Sequence, residues 1–191
     1  MPFSFQQSSP GALRQGELLA DLYVHRVAIP AMVANVGDDS PIESSHHPLV
    51  LVMHSDCDLL RDFEARQAAV ETNTPLEAWG HKATAPHVLL LDVFREGDIR
   101  PRAPGSAWQR IVQNETERYH YLRFEPIAGE HAPASPLLLD FRKMVSVYTE
   151  DLYRAIDQQG VRRLGIIPPI YLQDVMHRCF GYMSRIGLPD E

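Results

Sequence analysis

Cysteine, lysine and long apolar segments are all scarce in this chain of 191 residues. With only two cysteines, Cys57 and Cys179, the chain can form neither a disulfide framework nor a four-cysteine zinc site. No apolar run approaches the roughly 20 residues that span a membrane, and the start lacks the features of a signal peptide. A cytoplasmic location is therefore the default expectation.

Positive charge is also in short supply, because the net charge is −7. This balance argues against broad, nonspecific binding to nucleic acid, which depends on cations that meet phosphates. Only Lys82 and Lys143 among the 18 basic residues are lysine. The arginine bias suits bidentate recognition of phosphate or carboxylate, and a GC-rich genome produces the same bias.

The length suits one domain with a substantial core. Residues 1–13 are rich in Gln, Ser, Pro and Gly and predict a flexible leader, and 14–191 predict a single α+β domain. Strand-like patterns dominate 14–147 and helical patterns dominate 148–191. Strands followed by helices favour an α+β fold over a wound α/β sheet. We expect a bent, barrel-like antiparallel sheet followed by two C-terminal helices.

An apolar run that stops at a packet of reactive side chains is the most distinctive stretch. Residues 49–53 predict a buried strand, whereas 33–47 predict a loop in which His46 and His47 are solvated. The strand is followed at once by the packet, which consists of His54, Ser55, Asp56, Cys57 and Asp58. Polar residues directly after a buried strand are a frequent location for chemistry.

Two interpretations of this packet require no nucleophile. In the first, Asp56 and Asp58 cap a helix that begins near Leu59, and Cys57 is simply buried. In the second, His54, Asp56 and Asp58 form a ligand or metal site. Such a site needs a further ligand from elsewhere, for which the candidates are His87, His120 and Asp140. The sequence names neither a metal nor a cofactor.

The third interpretation is catalysis by a cysteine-dependent enzyme. Cys57 would be the nucleophile and His54 or His120 the general base. Three acids can orient that base, namely Asp56, Asp58 and Asp140. The acids that flank Cys57 oppose this interpretation, because nearby negative charge makes a thiol harder to ionise.

A second group of candidate residues alternates in period two along 118–124, which predicts a strand. Tyr119 and Tyr121 fall on one face and His120 on the other. Aromatic residues interleaved with Arg and His can stack bases and hold phosphates, and the same pattern is typical of a half-exposed sheet. Asp140 can join Arg118 or Arg142 in a buried ion pair. The predicted binding residues are Arg118, Tyr119, His120, Tyr121, Asp140 and Arg142.

The first half contains a turn at 14–18, a long loop, an apolar strand opened by Pro48 and a second apolar strand at 88–91. In this order it resembles the growth-inhibiting ribonucleases of the PemK/MazF type, which implies a small SH3-like barrel. That family has Arg before the Pro of its second strand, where this chain has His47. It has Ser or Thr at the end of the later strand, where this chain has Asp92-Val93-Phe94. The ribonuclease residues therefore do not carry over.

Four motifs spread over nearly the whole chain carry a second resemblance. They are Gln15-Gly16-Glu17, Ser55-Asp56-Cys57-Asp58, Arg118-Tyr119-His120-Tyr121-Leu122 and Arg185-Ile186-Gly187-Leu188-Pro189. With these motifs the chain resembles a group of uncharacterised bacterial proteins that are linked to phages and mobile elements. The resemblance implies a bacterial accessory or defence protein and brings no established activity.

The function predicted from the sequence is a noncatalytic recognition module that binds a protein or nucleic-acid partner in a mobile-element or phage-defence system. The alternative is an enzyme centred on Cys57, either a cysteine- or metal-dependent hydrolase or a divergent PemK-like ribonuclease. A third possibility is an RNA-binding barrel that uses Arg118, Tyr119, Tyr121 and Arg123. Oligomeric state and partner identity are not encoded in any of these patterns.

Overall fold

The computed structural model describes residues 2–27, 42–79, 84–125 and 136–185. These ranges contain six strands and five α-helices, besides two short 3₁₀ helices at Leu76–Trp79 and Arg100–Arg102. In chain order they are β1 (Glu17–Val27), β2 (Ile42–Val52), α1 (Asp56–Thr72), β3 (His87–Arg95), α2 (Glu96–Ile99), α3 (Gly105–Val112), β4 (Tyr119–Leu122), β5 (Leu137–Tyr148), α4 (Thr149–Gln158), β6 (Arg162–Ile166) and α5 (Pro169–Arg185). The predicted α+β class is confirmed.

The strands form one sheet in the order β4-β5-β3-β2-β1-β6, and every neighbouring pair is antiparallel. Among the described residues β4 and β6 do not pair with each other, so the sheet is open. The predicted closure into an SH3-like barrel is therefore not confirmed. The described helices also contain no segment with the length and apolar character needed to cross a membrane.

The prediction of two C-terminal helices needs correction. Helices α4 and α5 are present, but α1, α2 and α3 lie earlier in the chain, between strands. The C-terminal part also contains β6, which pairs with β1. Strand β6 has only five residues and begins with Arg162 and Arg163, so its sequence lacks a strand pattern. Its extended conformation comes from pairing with β1, which is distant in sequence.

Apolar side chains pack on both faces of the sheet. Leu18 and Leu51 belong to one core, which includes Val175 and Cys179 from α5. The other core contains Leu19, Val50 and Val52 together with Leu59 from α1 and Leu152 from α4. The run at 49–53 is thus buried from both sides, as its unbroken apolar sequence predicted. Each fully buried leucine stabilises the fold by roughly 1.5–3 kcal/mol.

The first 13 residues do not behave as the predicted flexible leader, because the part of them that the structure describes packs on the domain. Phe3 is buried and forms a bridge with Phe124, just beyond β4. Gln6 forms a bridge with Ile166 at the end of β6, and Leu13 is fully buried. The N-terminal segment therefore contacts both edges of the sheet. Its few apolar residues are separated by polar ones, so the sequence did not predict that this segment packs on the sheet.

The predicted loop at 33–47 is partly a strand. Residues 42–47 belong to β2 and pair with β1, from Leu22 opposite His47 to Val27 opposite Ile42. Residues 33–41 lie outside the described residues. The strand was missed because 43–47 are polar, and because its extended form depends on β1 rather than on apolar alternation. Strands β1 and β2 thereby form a two-stranded ribbon that extends beyond the pairing of β2 with β3.

Candidate functional site

The packet after β2 opens helix α1. Asp56 is the first residue of that helix and accepts hydrogen bonds from the Arg14 guanidinium, at 3.1 and 3.0 Å, and from the Gln15 backbone, at 2.6 Å. Burial alone would raise the pKa of Asp56, but the hydrogen bonds from Arg14 and Gln15 outweigh it and lower this pKa. Two carboxylates in the first turn also complement the positive end of the helix dipole.

Cys57 does not sit in an assembled catalytic group. Its side chain is exposed rather than buried, and Asp58 is exposed beside it. Among the described residues, no hydrogen bond or ion pair joins Cys57 to His54 or to either acid. The predicted partners are remote, because His120 on β4 and Asp140 on β5 are separated from β2 by two strands and by one strand, or about 14 Å and about 10 Å at the usual strand spacing.

Strand β4 presents two different faces, as its alternation predicted. His120 and Leu122 are buried on the face that packs towards α5, whereas Tyr119 and Tyr121 are half-buried on the other. His120 is 3% exposed, and within the part of the chain that the structure describes its Nδ1 atom has no hydrogen-bond partner. Burial lowers the pKa of His120 to about 4, although the carboxylate of Asp174, 3.9 Å from Nε2, acts in the opposite direction. His120 is therefore a neutral core residue at pH 7.

Asp140 forms the ion pair that the sequence offered as one alternative. Its carboxylate is almost fully buried and accepts two parallel hydrogen bonds from the Arg118 guanidinium, at 2.8 and 2.5 Å. The backbone N–H of Arg142 donates a third at 3.1 Å, while the Arg142 side chain points to solvent. The hydrogen bond from Arg118 to Asp140 raises the pKa of Arg118. Arg118 is therefore the partner of Asp140, and its orientation is fixed.

Arginine and aromatic side chains cover the outer face of β4. The Arg118 guanidinium lies 4.6 Å from the Tyr119 ring centroid, and that of Arg123 lies 5.5 Å from the Tyr121 centroid. Trp108 meets the Tyr121 ring edge to face, with centroids 5.9 Å apart. We call these five residues the β4 aromatic surface. The Tyr121 hydroxyl also donates a hydrogen bond to Glu96, so this surface is held in one arrangement.

The outer backbone edge of β4 is already occupied. Arg178 donates a hydrogen bond to the carbonyl of Tyr119 at 3.0 Å. The Asn114 amide both accepts from the N–H and donates to the carbonyl of Tyr121, at 2.6 and 3.1 Å. The N–H of Phe3 meets the next outward carbonyl, that of Arg123. These four backbone groups are already bound and do not offer a continuous edge to a partner strand, so we expect binding at β4 to use side chains.

A cleft of about 440 Å³ opens where β2 and β3 diverge. The two strands pair only from Val50 opposite Asp92 to Val52 opposite Leu90, and the register of β3 against β5 shifts at Asp92. His47 lines this cleft, and its Nδ1 atom lies 2.6 Å from the Asp92 carboxylate. Its Nε2 atom lies 3.0 Å from Ser45 Oγ. From the sequence His47 was predicted to be a solvated loop residue, so this arrangement was not predicted.

Asp92 was the signal that could have revealed this arrangement. It interrupts the apolar run of β3, and an acid inside such a run needs a partner.

Metal binding at the packet gains no support, because within the described ranges no group of three or more His, Cys, Asp or Glu residues is placed to hold a metal ion.

Comparisons of the chain with protein-family models and with curated proteins found no match. Both resemblances therefore stay predictions. The first two motifs of the second resemblance are nevertheless in contact. Gln15 donates one hydrogen bond from its backbone to Asp56 and another from its side chain to the carbonyl of Met53.

Proposed function

We propose that the protein is a recognition module that binds a partner protein through the β4 aromatic surface, and that the Cys57 packet is structural. The observation that carries this proposal is the pair of arginine–tyrosine stacks side by side on β4. Tyr, Trp and Arg are the residues that dominate binding energy at protein interfaces. Side chains that are fixed before binding lose less conformational entropy when a partner arrives.

The charges around this surface favour a protein over a nucleic acid. Arg118 is committed to Asp140, so its guanidinium is not free to meet a phosphate. The carboxylate of Glu96 accepts the Tyr121 hydroxyl at the same surface and would repel a phosphate. The net charge of −7 acts in the same direction. The RNA-binding alternative that uses Arg118, Tyr119, Tyr121 and Arg123 is therefore an outcome of the test below.

The cellular setting follows from the second resemblance. We place the module in the bacterial cytoplasm, as an accessory protein of a mobile-element or phage-defence system. The finer barrel-like description is part of the same proposal, and it is supported by the N-terminal segment that contacts both sheet edges. The PemK-like ribonuclease alternative is weaker, because His47 replaces the family's arginine and is bound to Asp92.

Site-specific photocrosslinking tests the proposal. A benzophenone amino acid replaces Arg123 within the β4 aromatic surface, and a matched variant carries it at Arg154 on α4. We expect a discrete protein adduct at position 123 and none at position 154. The purified partner should bind the wild-type chain, and Tyr119→Ser should weaken that binding about tenfold, as at other hot spots.

Three outcomes contradict recognition through this surface. They are equal protein adducts at both positions, no adduct at position 123, and an adduct that ribonuclease removes. The last outcome, together with an affinity that falls steeply with salt, would replace the protein partner with RNA.

A further inference from the structure

Ser45, His47 and Asp92 form a continuous series of hydrogen bonds in the part of the chain that the structure describes. Ser45 Oγ lies 3.0 Å from His47 Nε2, and His47 Nδ1 lies 2.6 Å from Asp92 Oδ1. We infer that Ser45 is the nucleophile of an acyl-transfer site, with His47 as its general base and Asp92 as the residue that positions His47. This activity goes beyond the recognition function proposed above.

The chemistry of the three groups fixes the direction of the hydrogen bonds. An ionised carboxylate only accepts, so the proton of a neutral His47 must lie on Nδ1, facing Asp92. The Nε2 atom is then an acceptor. The Ser45 hydroxyl can donate to it at 3.0 Å, and the alternative acceptor of that proton, the carbonyl of Val24, lies farther away at 3.4 Å. This is the protonation state that a general base needs in order to remove the proton of a serine hydroxyl.

The surroundings of the three side chains suit a reactive serine. His47 and Asp92 are mostly shielded, with side chains 13% and 21% exposed, at the edge of the cleft between β2 and β3. Ser45 is exposed, so a substrate can reach its oxygen. All three residues belong to paired strands, and residues two apart on a strand project to the same side. Pairing with β1 therefore holds Ser45 and His47 on one side of the ribbon, and Asp92 is held by its pairing with Val50 at the end of the β2–β3 ladder.

The neighbouring serine provides an internal comparison. Ser44 Oγ lies 2.7 Å from His25 Nδ1, but among the described residues no carboxylate completes that pair. A third histidine, His46, approaches Asp21 at 3.6 Å. Asp21 is itself bound by Arg162 at 2.6 Å, and that hydrogen bond lowers the pKa of Asp21. Within the described part of the ribbon, Ser45 alone has both a base and an orienting acid.

The substrate class that this arrangement can process is a carboxylic ester. Ser45 Oγ forms a bond with the carbonyl carbon while its proton moves to His47 Nε2. The bond to the leaving oxygen then breaks, and that oxygen takes the proton from His47. A water molecule, deprotonated by His47, attacks the acyl group, releases the acid and restores the serine hydroxyl. Water is the only co-reactant.

Labelling of the full-length chain with a fluorophosphonate probe tests the inference. The probe transfers its phosphonyl group to the oxygen of an activated serine and releases fluoride, and peptide mapping identifies the modified residue. We expect adduct at Ser45, no adduct in Ser45→Ala, and an undiminished rate in the matched control Ser44→Ala. Loss of the general base in His47→Gln should slow labelling about a hundredfold or more.

Asp92→Asn distinguishes positioning from a purely structural effect. With the amide in place labelling should slow, because the amide NH2 can turn towards Nδ1 and favour the other tautomer of His47. Asp92→Glu keeps a carboxylate and should restore part of the rate, which a purely structural loss would not. Thermal unfolding of each variant, compared with that of the wild-type protein, verifies that the variant is folded. No adduct on the wild-type protein, an adduct on Ser44, or an unchanged rate in folded Asp92→Asn would overturn the inference. Photocrosslinking at position 123 is independent of these results, so the two proposals can fail separately.

Discussion

Replacement of Arg163 by Met should lower the free energy of unfolding by about 3–5 kcal/mol, because it leaves a buried carboxylate without its charged partner. Glu17 is fully buried, and its carboxylate accepts hydrogen bonds from Arg163 at 2.6 and 2.8 Å. Arg163 also donates to the backbone carbonyls of Gly11 and Ala12, at 2.9 Å each. One side chain thereby ties β6 to both β1 and the N-terminal segment, so its loss removes several contacts together.

Urea unfolding of matched variants measures this effect. Arg154→Met is the control, because Arg154 forms exposed ion pairs with Glu150 and Asp151 that contribute about 1 kcal/mol or less. The double variant Glu17→Leu with Arg163→Met should recover much of the lost stability, since no unpaired charge is left buried. A loss below about 1 kcal/mol in Arg163→Met would show that Glu17 is solvated and would contradict the structure.

Acidification should destabilise the protein through His120. The pKa of the buried His120 is about 4, below its usual 6.5, so the unfolded chain takes up this proton more readily than the folded chain. The stability tied to neutral His120 is complete above about pH 6.5 and is lost as the pH falls towards 4. Between pH 7 and pH 4.5 the loss should be about 2–3 kcal/mol.

The comparison with His120→Leu isolates this contribution. Leucine does not titrate, so the variant should lack the part of the pH dependence that His120 causes. Asp174 and Arg178, the charged groups closest to His120, are retained in both proteins. The quantity to measure is the unfolding free energy of each protein at pH 7 and pH 4.5. Equal losses in the two proteins would mean that His120 is accessible to protons in the folded state.

The sequence predicted what depends on local patterns. Alternation along 118–124 predicted that Tyr119 and Tyr121 share one face of a strand and that His120 and Leu122 share the other, and the structure confirms this division. The apolar run at 49–53 predicted a strand buried on both sides, which is also confirmed. In both places the side-chain period reflects the environment directly, because burial on one or two faces selects the residues.

Features that depend on distant pairing were missed. The ribbon formed by 42–47 and the short strand β6 are polar or mixed in sequence, and each is extended because it pairs with β1. Consequently His47 was assigned to a solvated loop, although the ribbon brings it against Asp92. The packet at 54–58 was predicted to be a candidate site from its composition. Composition does not reveal that Arg14, far away in sequence, engages Asp56.

The packet, the β4 aromatic surface and the hydrogen-bonded serine occupy three separate places in the fold. The packet begins helix α1, the β4 aromatic surface faces outward with its arginines already oriented, and the hydrogen-bonded serine lies on the ribbon at the other side of β3. The central claim is that position 57 is a helix start rather than an active site. The recognition and acyl-transfer proposals both place function elsewhere.

The reactivity of Cys57 towards a disulfide reagent at pH 7.5 tests that claim most directly. Cys179 is only 2% exposed, and burial raises the pKa of its thiol to about 11. Cys57 is exposed, and this difference alone makes Cys57 react before Cys179. The informative standard is therefore free glutathione. We expect Cys57 to react within about threefold of the glutathione rate, and Cys179 only after unfolding. If Cys57 reacts about one hundred times faster than glutathione, and if His54→Ala removes this acceleration, Cys57 is an activated thiol and the account is contradicted.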